Sequence, residues 1–133
     1  MTIVIDASAC VAALTDDGPA GRWAEDVLSR PPVVAPQLLL VEATDVLRRL
    51  VASGRLDDGD ASAARHDLMS LPVDLHAFEP LADRVWALRH NVSSYDAWYV
   101  ALAERLDAPL ATLDRRLVGA SGALCRFMSV DGS

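Results

Sequence analysis

At 133 residues and 52% apolar content, the chain falls in the usual one-domain range and can bury one sizeable core. Its net charge of −7 argues against general nucleic-acid binding, because the long-range field repels phosphate; a polyanionic substrate needs local help from bound cations or an arginine patch. All 12 basic residues are arginines, so neither a Walker A phosphate loop nor a Schiff-base site can be built.

Thr2 to Ile5 is a β-rich apolar run without alternation, suited to a short central strand buried on both faces, and it stops at Asp6. Ala7 to Leu14 is alanine-rich and helical, Asp16 to Pro19 is turn chemistry, and Ala20 to Leu28 is a second helix stopped by Pro31-Pro32. Val33 to Ala35 suits a second strand. Pro36 then fits the first turn of a long helix to about Ser53, closed by Gly54 and carrying Glu42. Asp57 is a good N-cap for a helix to about Ser70, with Ala61, Ala64, Leu68 and Leu71 at helical spacing. Val73 to Phe78 alternates as a third strand, and Pro80 opens a helix to His90. Ser93 or Ser94 caps a helix holding Asp96, Val100 and Ala103 that breaks near Asp107. Pro109 to Thr112 is a strand, Arg115 to Val118 a helical turn, and Leu124 to Val130 a last strand.

Strands alternating with helices, and no two strands joined by a tight turn, predict a three-layer α/β domain over residues 1–133 around a mostly parallel sheet of about five strands. In such sheets the ligand crevice lies beyond the carboxyl ends of the strands, where the strand order reverses. Asp6 and Asp114 each follow a strand. No basic leader and no run of roughly 18 apolar residues is present, which reads as a cytoplasmic protein. Cys10 and Cys125, far apart in apolar surroundings, read as reduced thiols.

Most of the 19 acids suit the surface: Asp16, Asp17, Asp57, Asp58, Asp60 and Asp131 lie in turn or cap contexts. Asp45 has Arg48 and Arg49 at i+3 and i+4 and makes an ordinary ion pair. Glu42 is different, since it interrupts Leu38-Leu39-Leu40-Val41 and has no basic residue at either spacing. Asp6 ends an apolar strand, so it is either a helix cap or a buried carboxylate that needs a partner. Asp96 fits a capping box from Ser93 and also shares the inward face with Val100 and Ala103. Asp114 could equally cap the turn that follows it. If these four converge, divalent metal is the natural solution, since two carboxylates 4 Å apart repel by about 4 kcal/mol at an effective dielectric of 20. Oxygen-only ligands select magnesium or manganese over zinc, and such ions activate water and neutralise a phosphodiester in its transition state.

Four segments in order resemble the PIN-domain family and, within it, the VapC-type toxins of bacterial toxin–antitoxin pairs. They are Ile3-Val4-Ile5-Asp6-Ala7-Ser8-Ala9, Leu39-Leu40-Val41-Glu42, Ser94-Tyr95-Asp96-Ala97-Trp98-Tyr99-Val100-Ala101-Leu102-Ala103-Glu104, and Leu110-Ala111-Thr112-Leu113-Asp114-Arg115-Arg116-Leu117. The resemblance implies an α/β/α sandwich and a Mg2+-dependent endoribonuclease, with Mn2+ a possible substitute. It makes Asp6, Glu42, Asp96 and Asp114 the catalytic and metal-holding set, with Ser8 and Thr112 supporting the carboxylates through their hydroxyls. It also implies an RNA substrate, a homodimer, and a small cognate antitoxin that often places an arginine in the acidic pocket. The lack of lysine departs from many relatives, so gripping phosphate falls to arginine. Arg115 and Arg116 are the candidates; their other reading is the exposed face of a short helix.

His66, His76 and His90 are scattered without metal-ligand spacing. Trp23, Trp86, Trp98, Tyr95 and Tyr99 suit core or interface more than base stacking, with Trp98 and Tyr99 packed internally and the tyrosine hydroxyl reaching a polar edge. The competing functions are a non-catalytic module that holds a partner's arginine in the acidic pocket, and a general PIN nuclease without an antitoxin. A phosphoryl-transfer protein with Asp6 as nucleophile normally needs a lysine that this chain does not possess.

Overall fold

The apolar run Ile3–Ile5 forms the middle strand of the sheet and is fully buried, as its unbroken hydrophobicity requires. The computed structural model describes residues 1–131. Five strands, β1 (Ile3–Ile5), β2 (Val33–Pro36), β3 (Val73–His76), β4 (Leu110–Ala111) and β5 (Phe127–Met128), pair in parallel in the order β3-β2-β1-β4-β5. The chain moves outward from β1 to β3, then crosses back to add β4 on the other side of β1. The strand order therefore reverses between β1 and β4, and the crevice predicted at a reversal falls beyond Ile5 and Ala111.

Six helices cover the sheet: α1 (Ala7–Thr15), α2 (Pro19–Leu28), α3 (Leu39–Ala52), α4 (Asp58–Leu68), α5 (Ala82–Ala87) and α6 (Ser94–Leu106). Right-handed crossovers place α1 to α4 on one face and α5 and α6 on the other. Accordingly α1 packs on α2, α3 and α4, while α6 lies over β1, β2 and β4. Ile3, Ile5, Leu39, Val100, Leu102 and Leu110 are buried between the layers, each worth about 1.5–3 kcal/mol relative to exposure.

Local chemistry explains most element ends. Asp57 accepts from the Asp60 N–H and Ser93 from the Asp96 N–H, as predicted caps. Gly54 closes α3 at φ +76°, and Asp107 ends α6 in the left-handed region. Several boundaries differ from expectation; β3 stops at His76, α5 covers only Ala82–Ala87 and β4 only Leu110–Ala111. Pro36 ends β2 rather than opening α3, because it pairs in register with His76 and the Gln37 N–H donates to the His76 carbonyl. The ladder to β3 thus outcompetes the helix start. Arg115 to Val118 is a turn gathered on the Asp114 carbonyl, which accepts from the Leu117 and Val118 N–H groups. The last strand is only Phe127–Met128, because the Leu124 N–H is drawn to the Glu104 carboxylate.

Glu104 organises that region. It takes a forked pair from Arg84 at 2.6 and 3.0 Å, while Arg84 also donates to the Gly122 carbonyl, tying α5, α6 and the segment before β5 together. Burial alone would raise the Glu104 carboxyl, but Arg84 and the Leu124 N–H outweigh it and hold it below its ordinary value. Asp45 pairs with Arg48 and Arg49 as anticipated. Both cysteines are free thiols, and burial pushes Cys10 up to about 12 and Cys125 to about 11. Among the described residues no helix is long and apolar enough to cross a membrane.

Candidate metal centre

Asp6 is 7% exposed and serves two purposes at once. One oxygen caps α1 by accepting from the Ala9 N–H at 3.1 Å and takes the Ser8 hydroxyl at 2.6 Å; the other accepts from the Thr112 hydroxyl. Each hydroxyl is itself oriented, since Ser8 Oγ accepts from the Leu113 N–H at 3.0 Å and Thr112 Oγ1 from the Asp114 N–H at 2.9 Å. With its acceptor side occupied by a backbone N–H, each hydroxyl directs its proton at Asp6. Two relays therefore lock the segment after β4 onto the carboxylate after β1, across 106 residues of chain. Burial still dominates and raises the Asp6 carboxyl, these hydrogen bonds oppose it, and Asp114 adds to the rise.

Glu42 stands in the first turn of α3, half-buried, with Oε1 buried and without a hydrogen-bond partner. The neighbouring Tyr99 hydroxyl is likewise buried and unpartnered, yet it perturbs Glu42 and is pushed upward by burial and by that carboxyl. The two groups face each other without completing a bond of normal geometry. Glu42 is raised by burial first and then by Asp96 and Asp6. Asp96, in the first turn of α6 and half-buried, is raised by burial and by Asp114. Asp6 is raised by Asp114, Glu42 by Asp6 and Asp96, and Asp96 by Asp114, so three of the four acids carry repulsion from another member of the set. The four residues singled out in the sequence are thus linked through their charges, while among the described residues only Asp96 and Asp114 of the four line one cavity.

Asp114 is the exception in sign. The Arg116 guanidinium holds its carboxyl below the ordinary value, with bonds from Nε at 3.2 Å to Oδ1 and from a terminal nitrogen at 3.2 Å to Oδ2, and the Arg116 N–H adds a third at 2.9 Å. Arg115 points to a different partner, Asp131, at 2.7 Å. A cavity of about 190 Å3 opens between Asp96, Asp114 and Arg116, with Asn91 and Val92 at its rim.

The acids meet the chemical demands of a divalent ion: every donor is a carboxylate oxygen, one is buried and unpartnered, and the repulsion is what a cation would relieve. As they stand, no three His, Cys, Asp or Glu side chains among the described residues converge tightly enough to grip an ion, and both Asp114 oxygens are engaged by Arg116. Two participants escaped sequence reasoning. Tyr99 was placed inward with its hydroxyl at a polar edge, but not against Glu42; its i+3 spacing from Asp96 was the available signal. The Arg116 fork on Asp114 was hidden because an i+2 contact belongs to a turn, not to the helix expected there.

A family model for the PIN domain matches residues 3–122. Ribonuclease VapC1 of Mycobacterium tuberculosis is 41% identical over 128 residues, covering 96% of this chain and 96% of that protein. Ribonuclease VapC9 of the same species is 39% identical, covering 92% of this chain and 94% of the relative. Among solved structures, a Pyrobaculum aerophilum protein superposes with a TM-score of 0.74 at 23% identity over 98% of this chain and 85% of its own. VapBC2 of Rickettsia felis, solved bound to a DNA fragment from its promoter, gives 0.68 at 12% identity over 97% and 98%. These two likenesses speak to the fold. The family match and the curated relatives place this chain in the PIN-domain family, on its VapC branch.

Proposed function

We propose that this chain is an endoribonuclease that hydrolyses RNA with Mg2+, or with Mn2+ in its place, and serves as the toxin of a toxin–antitoxin pair. The observation that carries the reading is the pair Asp6 and Asp114 just beyond the two strands at the strand-order reversal, with Glu42 and Asp96 coupled to them by charge and Glu42 carrying a buried, unpartnered oxygen. The VapC relatives named as ribonucleases, and a fold neighbour solved as a VapBC pair, agree with it. A divalent cation in the crevice supplies an activated water and positive charge for the phosphodiester.

The chain's own residues do the rest. Asp6 and Asp96 are the leading ligands, with Asp114 beside them; Asp6 is held in place by the Ser8 and Thr112 hydroxyls, which limits reorganisation when an ion arrives. Glu42, its free oxygen turned to the interior, holds a water or a second ion. Because the protein is strongly acidic overall, Arg115 and Arg116 provide the local cations that an RNA backbone needs. As partners we assign a cognate antitoxin and a second copy of the chain, in the cytoplasm, with residues 1–133 forming a nuclease domain.

Asp6→Asn and Asp96→Asn test the centre. Each is expected to lower Mg2+-dependent cleavage of single-stranded RNA by at least about 100-fold with the circular dichroism spectrum unchanged, and EDTA should abolish the wild-type activity. Full Mg2+-dependent cleavage and full growth toxicity in both variants would refute the assignment.

A further inference from the structure

Arg116 is the cation in the lining of the Asp96–Asp114 cavity, and it is bound to the carboxylate that a metal ion would need. Its fork occupies both Asp114 oxygens, and its charge also reaches Asp96. The turn after Asp114 presents the Arg116 side chain two residues away, so the contact orders very little chain. At the same time the side chain is 91% exposed, with no packing to hold it if Asp114 is taken by a stronger cation. Arg115, the adjacent residue, bonds Asp131 and leaves Asp114 alone. An arginine at bonding distance from Asp114 and a divalent ion on the same oxygens repel each other, so the two occupants are exclusive.

Resting on the metal-centre reading above, we propose that Arg116 is a built-in counter-cation: it neutralises the Asp96–Asp114 side of the metal-free crevice, and a divalent ion binds only by displacing it. The released guanidinium remains tethered two residues from Asp114, beside the place where the substrate's phosphate meets the ion. A fork suited to a carboxylate suits a phosphate equally, so displacement converts an inhibitory contact into an RNA contact. This arrangement supplies a local cation in a protein of net charge −7 without leaving that cation unpaired at rest.

Calorimetric titration of the full chain with Mn2+ tests the first half. Arg116→Gln is expected to tighten Mn2+ binding by about three- to fivefold, the upper part of the range for removing an exposed but forked ion pair. Arg115→Gln makes the same change in net charge beside the same aspartate and should shift the affinity by less than about twofold. Asp96→Asn should abolish binding in either background. Unchanged or weaker Mn2+ binding in Arg116→Gln overturns the inference while leaving the metal centre standing, and an equal gain in Arg115→Gln overturns it too, because the effect is then one of bulk charge. Binding that survives Asp96→Asn places the ion elsewhere and removes the metal-centre reading together with the inference. For the second half, a non-cleavable RNA oligonucleotide is titrated at saturating Mn2+. Arg116→Gln should bind it more weakly, by about five- to tenfold, and equal affinity overturns the role in gripping RNA.

Discussion

Two concentrations of carboxylates occur in this molecule, and the larger one is the less informative. Asp16, Asp17, Glu25, Asp60 and Asp67 line a cavity of about 290 Å3 between the end of α1, α2 and α4. All five are exposed, and where their hydrogen bonding is local it is turn chemistry, as when Asp16 accepts from the Gly18 N–H. The second group is the four acids coupled by charge, of which Asp6 is buried and Glu42, Asp96 and Asp114 are partly so. Water screens the first group, so its charges coexist at little cost. The second group is partly removed from water, and Asp6, Glu42 and Asp96 are each raised by burial and by another acid of the group, while Arg116 holds Asp114 low. What distinguishes a candidate ion site here is burial, mutual coupling and an unpartnered oxygen, not the number of acids.

The largest expected effect on stability tests whether the crevice is held open by design of its hydroxyls. Thr112 is 0% exposed and links the Asp114 N–H to Asp6. Thr112→Val keeps the shape and leaves both a buried N–H and a carboxylate oxygen short of a partner, so it is expected to cost about 2 kcal/mol in denaturant unfolding. Ser8→Ala should cost about half as much, because Ser8 is only partly buried and water can enter. Asp16→Asn, the matched change in the exposed group, should stay within about 0.5 kcal/mol. A Thr112→Val cost no larger than that of Asp16→Asn would erase the distinction between the two regions.

The same contrast governs what could be read from the sequence. Asp6 was legible because an unbroken apolar run needs a buried strand and a carboxylate directly after it needs an explanation; Glu42 was legible because no arginine stood within reach on its helix. The parallel sheet followed from the alternation of strand and helix signals, and the chain order of the helices is as anticipated, whereas the strand order and the place of its reversal come from the structure. The relays through Ser8 and Thr112 were not legible from local pattern and entered only through family resemblance, since each joins residues more than 100 positions apart. Pro36 misled for a related reason: a helix-start preference worth little by itself gave way to pairing with a strand 40 residues later. Contacts at helical spacing or at helix caps were readable, whereas contacts made by a turn, such as Arg116 on Asp114, or by the fold were not.

A smaller effect, about 0.5–1 kcal/mol, separates the regions by pH. Asp96 is raised in the folded state, by burial and by Asp114. From about pH 4 upward to its folded value, the native protein holds more of that proton than the unfolded chain does, so this group's contribution to stability falls as pH rises. The metal-free Asp96→Asn variant should therefore be more stable than wild type at pH 7, with the difference shrinking as pH drops toward 4; half-exposure keeps the gain modest. Glu104 and Asp114 are lowered and act in the opposite direction, losing stability as pH falls through their folded values; the comparison of variant with wild type cancels Glu104, while Asp114, coupled to Asp96, is relieved of repulsion in the variant and adds to its gain. Saturating Mg2+ should reverse the order, since wild type gains binding energy that the variant forgoes. An Asp96→Asn protein less stable than wild type at pH 7 without metal would mean that the crevice carboxylates are not under mutual strain.

The smallest expected effect lies in the exposed group and is the sharpest check on the comparison. Asp60 and Asp67 sit two turns apart on α4 and face the same cavity, so neutralising both as Asp60→Asn/Asp67→Asn relieves repulsion among five like charges. Because all five are solvated, the gain should be below about 0.5 kcal/mol at low ionic strength and should disappear near 1 M salt, where the Debye length is about 3 Å. RNA cleavage and Mn2+ affinity should both stay within about twofold of wild type, since the change is far from the acids that carry the centre in electrostatic terms. A severalfold change in Mn2+ affinity would show that the exposed acids help recruit the ion. In that event acid number as well as burial would matter, and the line drawn between the two clusters would have to be redrawn as a gradient of field around one site.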